Sequence, residues 1–138
     1  MLPYWSKGTA GVITTLVRYA KVTENIFYKN KIRELIPDIS RKYAINPGLY
    51  NGFAGLGNSL LDCYQYLGDK KYLYEAYNVA SGIDLLRINK QEGVAFPGDF
   101  VYRISNDFGT GSSGIGLFLH RLLYGGENFN FLLDDLIT

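Results

Sequence analysis

Apolar residues return at helical spacing in five stretches of the chain. From Thr9 to about Lys21, Val12, Ile13, Leu16, Val17 and Ala20 share one face, and Thr23-Glu24-Asn25 breaks the pattern. A second helix carries Ile32, Leu35, Ile36, Ile39 and Tyr43; Pro37 either kinks it or sits in the first turn of a new one. Asn46-Pro47-Gly48 stops it. The third helix runs from about Phe53 to Leu67 with Leu56, Leu60, Leu61, Tyr64 and Leu67 inward. Gly68-Asp69 suits a tight turn into a fourth, with Tyr72, Leu73, Ala76, Val79, Ala80, Ile83 and Leu86 on its stripe. Between 93 and 107 the pattern changes. Val94-Ala95-Phe96 and Phe100–Ile104 flank Pro97-Gly98-Asp99, which predicts a short β-hairpin or ordered loop. A fifth helix spans about Ser112 to Tyr124, and Phe129, Leu132, Leu133 and Leu136 predict a last short one.

Three of these helices open alike. Ser6-Lys7-Gly8-Thr9-Ala10-Gly11, Tyr50-Asn51-Gly52-Phe53-Ala54-Gly55 and Gly109-Thr110-Gly111-Ser112-Ser113-Gly114 each lead through Gly-x-x-Gly into an aliphatic run. The first glycines lie 44 and then 59 residues apart, and the 93–107 insertion accounts for the longer interval. Such a return marks a repeat architecture. The expected reason for the first glycine is a turn at φ values other residues resist. The second, inside the first helical turn, costs roughly 1 kcal/mol against alanine and so implies close packing. Three helix starts would then aim free N–H groups at a shared centre. The expected fold is all-α: three helical hairpins side by side, forming part of an α/α ring. Such an arc leaves apolar flanks uncovered unless the chain forms a homodimer or belongs to a larger ring.

Composition narrows the function classes. A net charge of +1, from 14 basic and 13 acidic side chains without long blocks, gives no nucleic-acid or anionic-membrane footprint. The single cysteine, Cys63, excludes an internal disulfide and suits a reducing compartment. With no signal peptide and no apolar run of membrane-spanning length, the expectation is a soluble cytoplasmic protein. Twelve Tyr and eight Phe read mainly as filling between helices and at rims.

The triple motif resembles the C-terminal portion of the lanthionine synthetase cyclase (LanC-like) family. Trp5-Ser6-Lys7-Gly8-Thr9-Ala10-Gly11 is similar to the family's Trp-Cys-x-Gly-x-x-Gly, and Leu49-Tyr50-Asn51-Gly52-Phe53-Ala54-Gly55 to its Cys-His-Gly-x-x-Gly. Asp107-Phe108-Gly109-Thr110-Gly111-Ser112-Ser113-Gly114 is similar to its final repeat. The resemblance covers nearly the whole chain and implies an α/α toroid whose glycine turns surround a cavity. In the family, the first cysteine and the Cys-His pair bind a zinc ion that activates a peptide thiol for addition to a dehydrated residue. Here those positions are Ser6, Tyr50 and Asn51, which supply no thiolate or imidazole. Cys63 and His120 lie well inside helices. The expectation is therefore no metal and no cofactor, as in the zinc-free cyclase domains of class III lyase–kinase–cyclase synthetases.

On that resemblance, the partners are a precursor peptide and upstream kinase and lyase domains, and the chain alone is expected to be inactive. Ser6, Tyr50, Asn51 and Thr110 are the expected substrate-facing residues. Lys7 is the candidate catalytic residue, stabilising a thiolate or enolate; its plain alternative is a solvated lysine at a helix start. A second functional reading is a degenerate cyclase fold that binds precursor peptide or braces a kinase domain.

Other signals weigh less. Gly109-x-Gly111-x-x-Gly114 matches the dinucleotide fingerprint, with Asp134 twenty residues on, but the Gly125-Gly126 stop and short amphipathic segment after it make no βαβ unit. A serine hydrolase lacks Gly-x-Ser-x-Gly, and a glycoside-processing toroid would need paired carboxylates where only Asp107 stands. His120 reads as a boundary histidine with a hydrogen-bond partner and Cys63 as a small core residue. Lys29, Lys31, Arg33, Arg41 and Lys42 read as a solvated outer face, with docking of a precursor leader peptide as the alternative.

Overall fold

A computed structural model describes residues 2–131 and 134–137, with Asp135 described by its backbone alone. Five α-helices succeed one another: α1 (Thr9–Thr23), α2 (Ile26–Ile39), α3 (Phe53–Leu67), α4 (Lys70–Asp84) and α5 (Ser112–Tyr124). They form two layers. In the inner one, α1 packs on α3 and α3 on α5; in the outer one, α2 covers α1 and α4 covers α3. The fold is all-α with a small β insertion, as the apolar periodicity predicts.

The hairpin turns arise from local chemistry. Glu24 takes a left-handed conformation (φ 52°) after α1, and Asn25 caps α2 by accepting from the Phe27 N–H at 2.9 Å. Gly68 (φ 74°) ends α3, and Asp69 caps α4 through the Lys71 N–H at 2.9 Å. Pro37 neither ends α2 nor starts a new helix. It lies in the last turn, where the ladder is about to stop. Ile32, Ile36 and Ile39 are buried as expected, whereas Tyr43 lies beyond the helix end and is exposed.

The central position of α3 decides its burial. Flanked on both sides and from above, every residue from Phe53 to Cys63 is buried. Each fully buried Leu there contributes about 1.5–3 kcal/mol. Cys63 is a core residue, as expected.

The insertion differs in register from the expectation. Its strands are β1 (Ile88–Lys90) and β2 (Gly93–Ala95), antiparallel, with Ile88 opposite Ala95. Pro97, which has no N–H to give a ladder, falls outside them. The 97–104 segment closes as a loop, with the Gly98 N–H donating to the Arg103 carbonyl at 2.8 Å. After α5, a 3-10 turn at Asp134–Ile137 takes the place of the expected short helix, and Leu132 and Leu133 lie outside the described residues. Several tyrosines expected to fill gaps do not: Tyr43, Tyr74, Tyr102 and Tyr124 are largely exposed.

No helix among the described residues is long and apolar enough to cross a membrane. They contain no parallel sheet, which removes the dinucleotide reading. Asp134 is instead engaged by Arg18.

Candidate functional site

The loops entering α1, α3 and α5 share their first hydrogen bond, and those of α1 and α3 a second. The first helical N–H of each donates back to the entering strand: Thr9 to the Leu2 carbonyl (2.8 Å), Phe53 to Asn46 (3.0 Å) and Ser112 to Ser105 (2.8 Å). Ala10 and Ala54 donate likewise to Pro3 and Pro47. These five N–H groups are thus engaged by their own loops rather than aimed at a centre.

The glycines have a different cause from the one expected. Gly8, Gly52 and Gly111 have φ of −162°, −156° and −118°, extended backbone open to any residue. What excludes a side chain is space. A Cβ on them would meet the carbonyl oxygens of Leu2, Asn46 and Ser105 at under 3.0 Å. The second glycines, Gly11, Gly55 and Gly114, press on the Trp5, Leu49 and Phe108 carbonyls in the same way.

These turns stand side by side. The Ser6 N–H donates to the Tyr50 carbonyl at 3.0 Å, and the Tyr50 N–H to the Gly109 carbonyl at 2.8 Å. Ser6, Tyr50 and Gly109 each sit two residues before a first glycine, so one bond type is propagated along the row. Side chains reinforce it. Ser6 Oγ donates to Asn51 Oδ1 at 2.7 Å, Trp5 stacks on Tyr50 with centroids 5.8 Å apart, and Tyr50 meets Phe108 edge-on at 6.4 Å.

Ser6, Tyr50 and Asn51 are therefore brought together. Thr110 makes no hydrogen bond to them: its N–H and Oγ1 turn to the Asp107 carboxylate at 2.6 and 2.7 Å, and its neighbour Gly109 supplies the carbonyl that holds Tyr50. Hydrogen bonds from Ser105 first, and then from Thr110, hold the Asp107 carboxyl down at about 2. Lys7 is exposed and lies on the wall of a groove of about 980 Å³. That groove belongs to the first turn and the flank of α1, with Trp5, Thr15, Tyr19 and Phe131 on its walls; Tyr50, Asn51 and Thr110 do not line it. The three turns form an exposed ledge, not one enclosed cavity.

A sequence profile of lanthionine synthetase C-like proteins matches residues 1–133. The chain belongs to the lanthionine synthetase C-like family. Comparison with curated proteins gives no match.

Zinc, which the family implies, does not suit Ser6, Tyr50 and Asn51 as they stand in this LanC-like chain. Ser6 and Asn51 spend their side-chain oxygens on each other, and Tyr50 stacks its ring on Trp5. Neutral hydroxyl and amide oxygens are poor replacements for thiolate and imidazole. His120 is exposed and packs on Tyr124 (5.0 Å between centroids), and no hydrogen bond to its ring is found among the described residues.

One cluster escaped the periodicity reading. Asp62 on α3 accepts from Arg18 of α1, from Arg121 Nη2 of α5 at 2.7 Å and from Asn128 Nδ2 at 3.2 Å. Arg18 also engages Asp134 at 2.5 Å and carries Phe131 against its guanidinium at 4.0 Å. Burial works to lower the Arg18 pKa, yet the hydrogen bonds it donates to Asp134 and the nearby Asp62 charge raise it overall. Arg18, Asp62 and Arg121 each fall ten residues after a first glycine. Aligning the three repeats exposes this plus–minus–plus column in the sequence.

Proposed function

We propose that this LanC-like chain supplies part of the peptide-facing ledge of a zinc-independent lanthionine cyclase of the class III kind. The observation that carries the reading is the 2.7 Å hydrogen bond from Ser6 Oγ to Asn51 Oδ1. Two positions that hold metal ligands elsewhere in the family here touch each other as a neutral pair. A dehydrated precursor peptide would lie along the Ser6, Tyr50, Asn51 and Thr110 ledge. The reaction adds a cysteine sulfur to the β-carbon of a dehydroalanine or dehydrobutyrine. The thiol proton leaves to a base, the C=C bond opens to an enolate, and the α-carbon is reprotonated. Lys7, cationic and exposed beside Ser6, would stabilise the thiolate or the enolate oxygen. The remaining catalytic groups, and any kinase and lyase partners, would lie in a longer parent synthetase.

A second reading, peptide binding without catalysis, draws on Asp107. The Asp107 carboxylate is tied to Ser105 and Thr110 and held far below neutrality, a poor base. The test is ring formation by the parent synthetase on a dehydrated peptide, with and without chelator and with Lys7→Met. Chelator-indifferent cyclisation slowed at least tenfold by Lys7→Met supports the cyclase reading. Binding without any cyclisation supports the second, and chelator-sensitive cyclisation overturns the zinc-independent one.

A further inference from the structure

The loop that precedes α5 holds its shape against the backbone's preference. Phe100 (φ 58°) and Val101 (φ 61°) are consecutive left-handed residues, neither is glycine, and Val101 is β-branched. Such residues persist only where their surroundings over-determine them, and they gather at ligand clamps. The ledge supplies those surroundings. The Phe100 N–H donates at 2.7 Å to Oδ1 of Asn46, a buried residue whose carbonyl also receives the Phe53 N–H of the second turn. Pro97 bridges to Ile104 across the base of the loop.

Between this loop and the third turn lies a cavity of about 410 Å³, a size that suits a small ligand or a long side chain. Its polar side chains come from Asp99, Tyr102, Arg103, Ser105, Asp107 and Thr110. Thr110 also belongs to the ledge, so the two are continuous. Two carboxylates here stand against one guanidinium. Asp107 is ionised throughout the neutral range, because Ser105 and Thr110 hold its pKa at about 2. Asp99 Oδ1 is buried and has no hydrogen-bond donor among the described residues, a condition that folded proteins rarely leave standing. Arg103 is exposed and enters none of the ion pairs among the described residues, so neither carboxylate is neutralised at contact distance.

We propose that this cavity is a side-chain subsite of the ledge and takes a cationic side chain, arginine or lysine, of the bound peptide. The aliphatic stem lies along the Tyr102 ring, and the N–H donors of the cation go to the Asp107 and Asp99 carboxylates. An acidic side chain meets the excess of negative charge, and an apolar one leaves Asp99 Oδ1 without a donor. The inference rests on the peptide-facing ledge and names the kind of peptide it favours: one with a basic residue beside the segment that crosses the three turns.

The test is an NMR titration of the chain with acetyl-Gly-Arg-Gly-amide, read at the backbone amides of Tyr102, Arg103 and Thr110 and at the Asp107 carboxyl carbon. The arginine peptide should shift these signals saturably, and its citrulline counterpart, alike in shape without the charge, should bind severalfold more weakly. Asp99→Asn and Asp107→Asn should each weaken the arginine peptide by roughly tenfold. Arg103→Gln should tighten it, because the guanidinium repels a cation and would attract a carboxylate. Amide spectra of the helices verify that each variant stays folded. The absence of saturable shifts, equal binding of the two peptides, or weaker binding to Arg103→Gln overturns the proposal. No ring forms in this assay, so failure to bind leaves the cyclase reading to its own test. Binding here without cyclisation by the parent synthetase removes that reading and keeps the subsite.

Discussion

Removing the Asp62 carboxylate should loosen three helices and the C-terminal segment together, and the cost can be worked from its partners. Asp62 and Arg121 have side chains 1% exposed, and Arg18 is 13% exposed. In Asp62→Ala, Arg18 keeps Asp134 at 2.5 Å. Arg121 keeps only neutral acceptors, Gln65 Oε1 at 2.7 Å and the Asn58 carbonyl at 3.1 Å among them, and so becomes a buried cation without a counter-charge. Breaking a buried pair from one side costs about 3–5 kcal/mol. Against a total stability of about 5–15 kcal/mol this is severe, with a fall in melting temperature on the order of 10 °C. The assay is urea unfolding followed by far-UV circular dichroism. Replacing both partners, Asp62→Leu with Arg121→Met, should recover much of the loss, because the charge left unpaired is gone. Asp62→Ala costing less than about 1 kcal/mol, or a double variant no better than the single, would refute the reasoning.

Two glycines should respond with opposite sign. Gly55→Ala forces a Cβ against the Leu49 carbonyl and Trp5 Cβ and should destabilise by about 1–3 kcal/mol, whereas Gly116→Ala, in open space, should stabilise the helix by up to about 1 kcal/mol in chemical denaturation. Asp107 titrates at about 2 in the folded chain against an ordinary 3.8, so its contribution is complete above the ordinary value and disappears as pH falls through the folded one. Carboxyl-carbon NMR should place its midpoint near the lower value, and Thr110→Val should move it upward. Cys63 is buried and its thiol is pushed well above the usual range, so a disulfide reagent should label it only on unfolding, with a rate that tracks urea concentration.

How far the sequence carried depended on which physical signal each feature uses. Helices α1, α4 and α5 were legible because burial on one side imposes the 3.6-residue period, α3 because its glycine start and Gly68 stop bracket an apolar run, and the Gly68-Asp69 hairpin because its residues suit that turn. The glycine motifs were found for a sound reason and explained by the wrong one. Spacing shows that a Cβ is unwelcome, but only coordinates distinguish a left-handed φ from a carbonyl in the way. The expected hairpin or ordered loop about Pro97-Gly98-Asp99 is a loop closed by one antiparallel bridge, Pro97 to Ile104, while the regular ladder forms just before it, where no proline removes an N–H. The Arg18–Asp62–Arg121 column was missed for a deeper reason: periodicity within one helix ignores which side chains align between helices. Once the repeats are laid over one another, the charges alternate at a single position, and three like repeats become a structure with a direction. The same alignment shows that Val12 and Phe108 are more exposed than Leu56, Ile115 and Leu49, their counterparts in the other repeats.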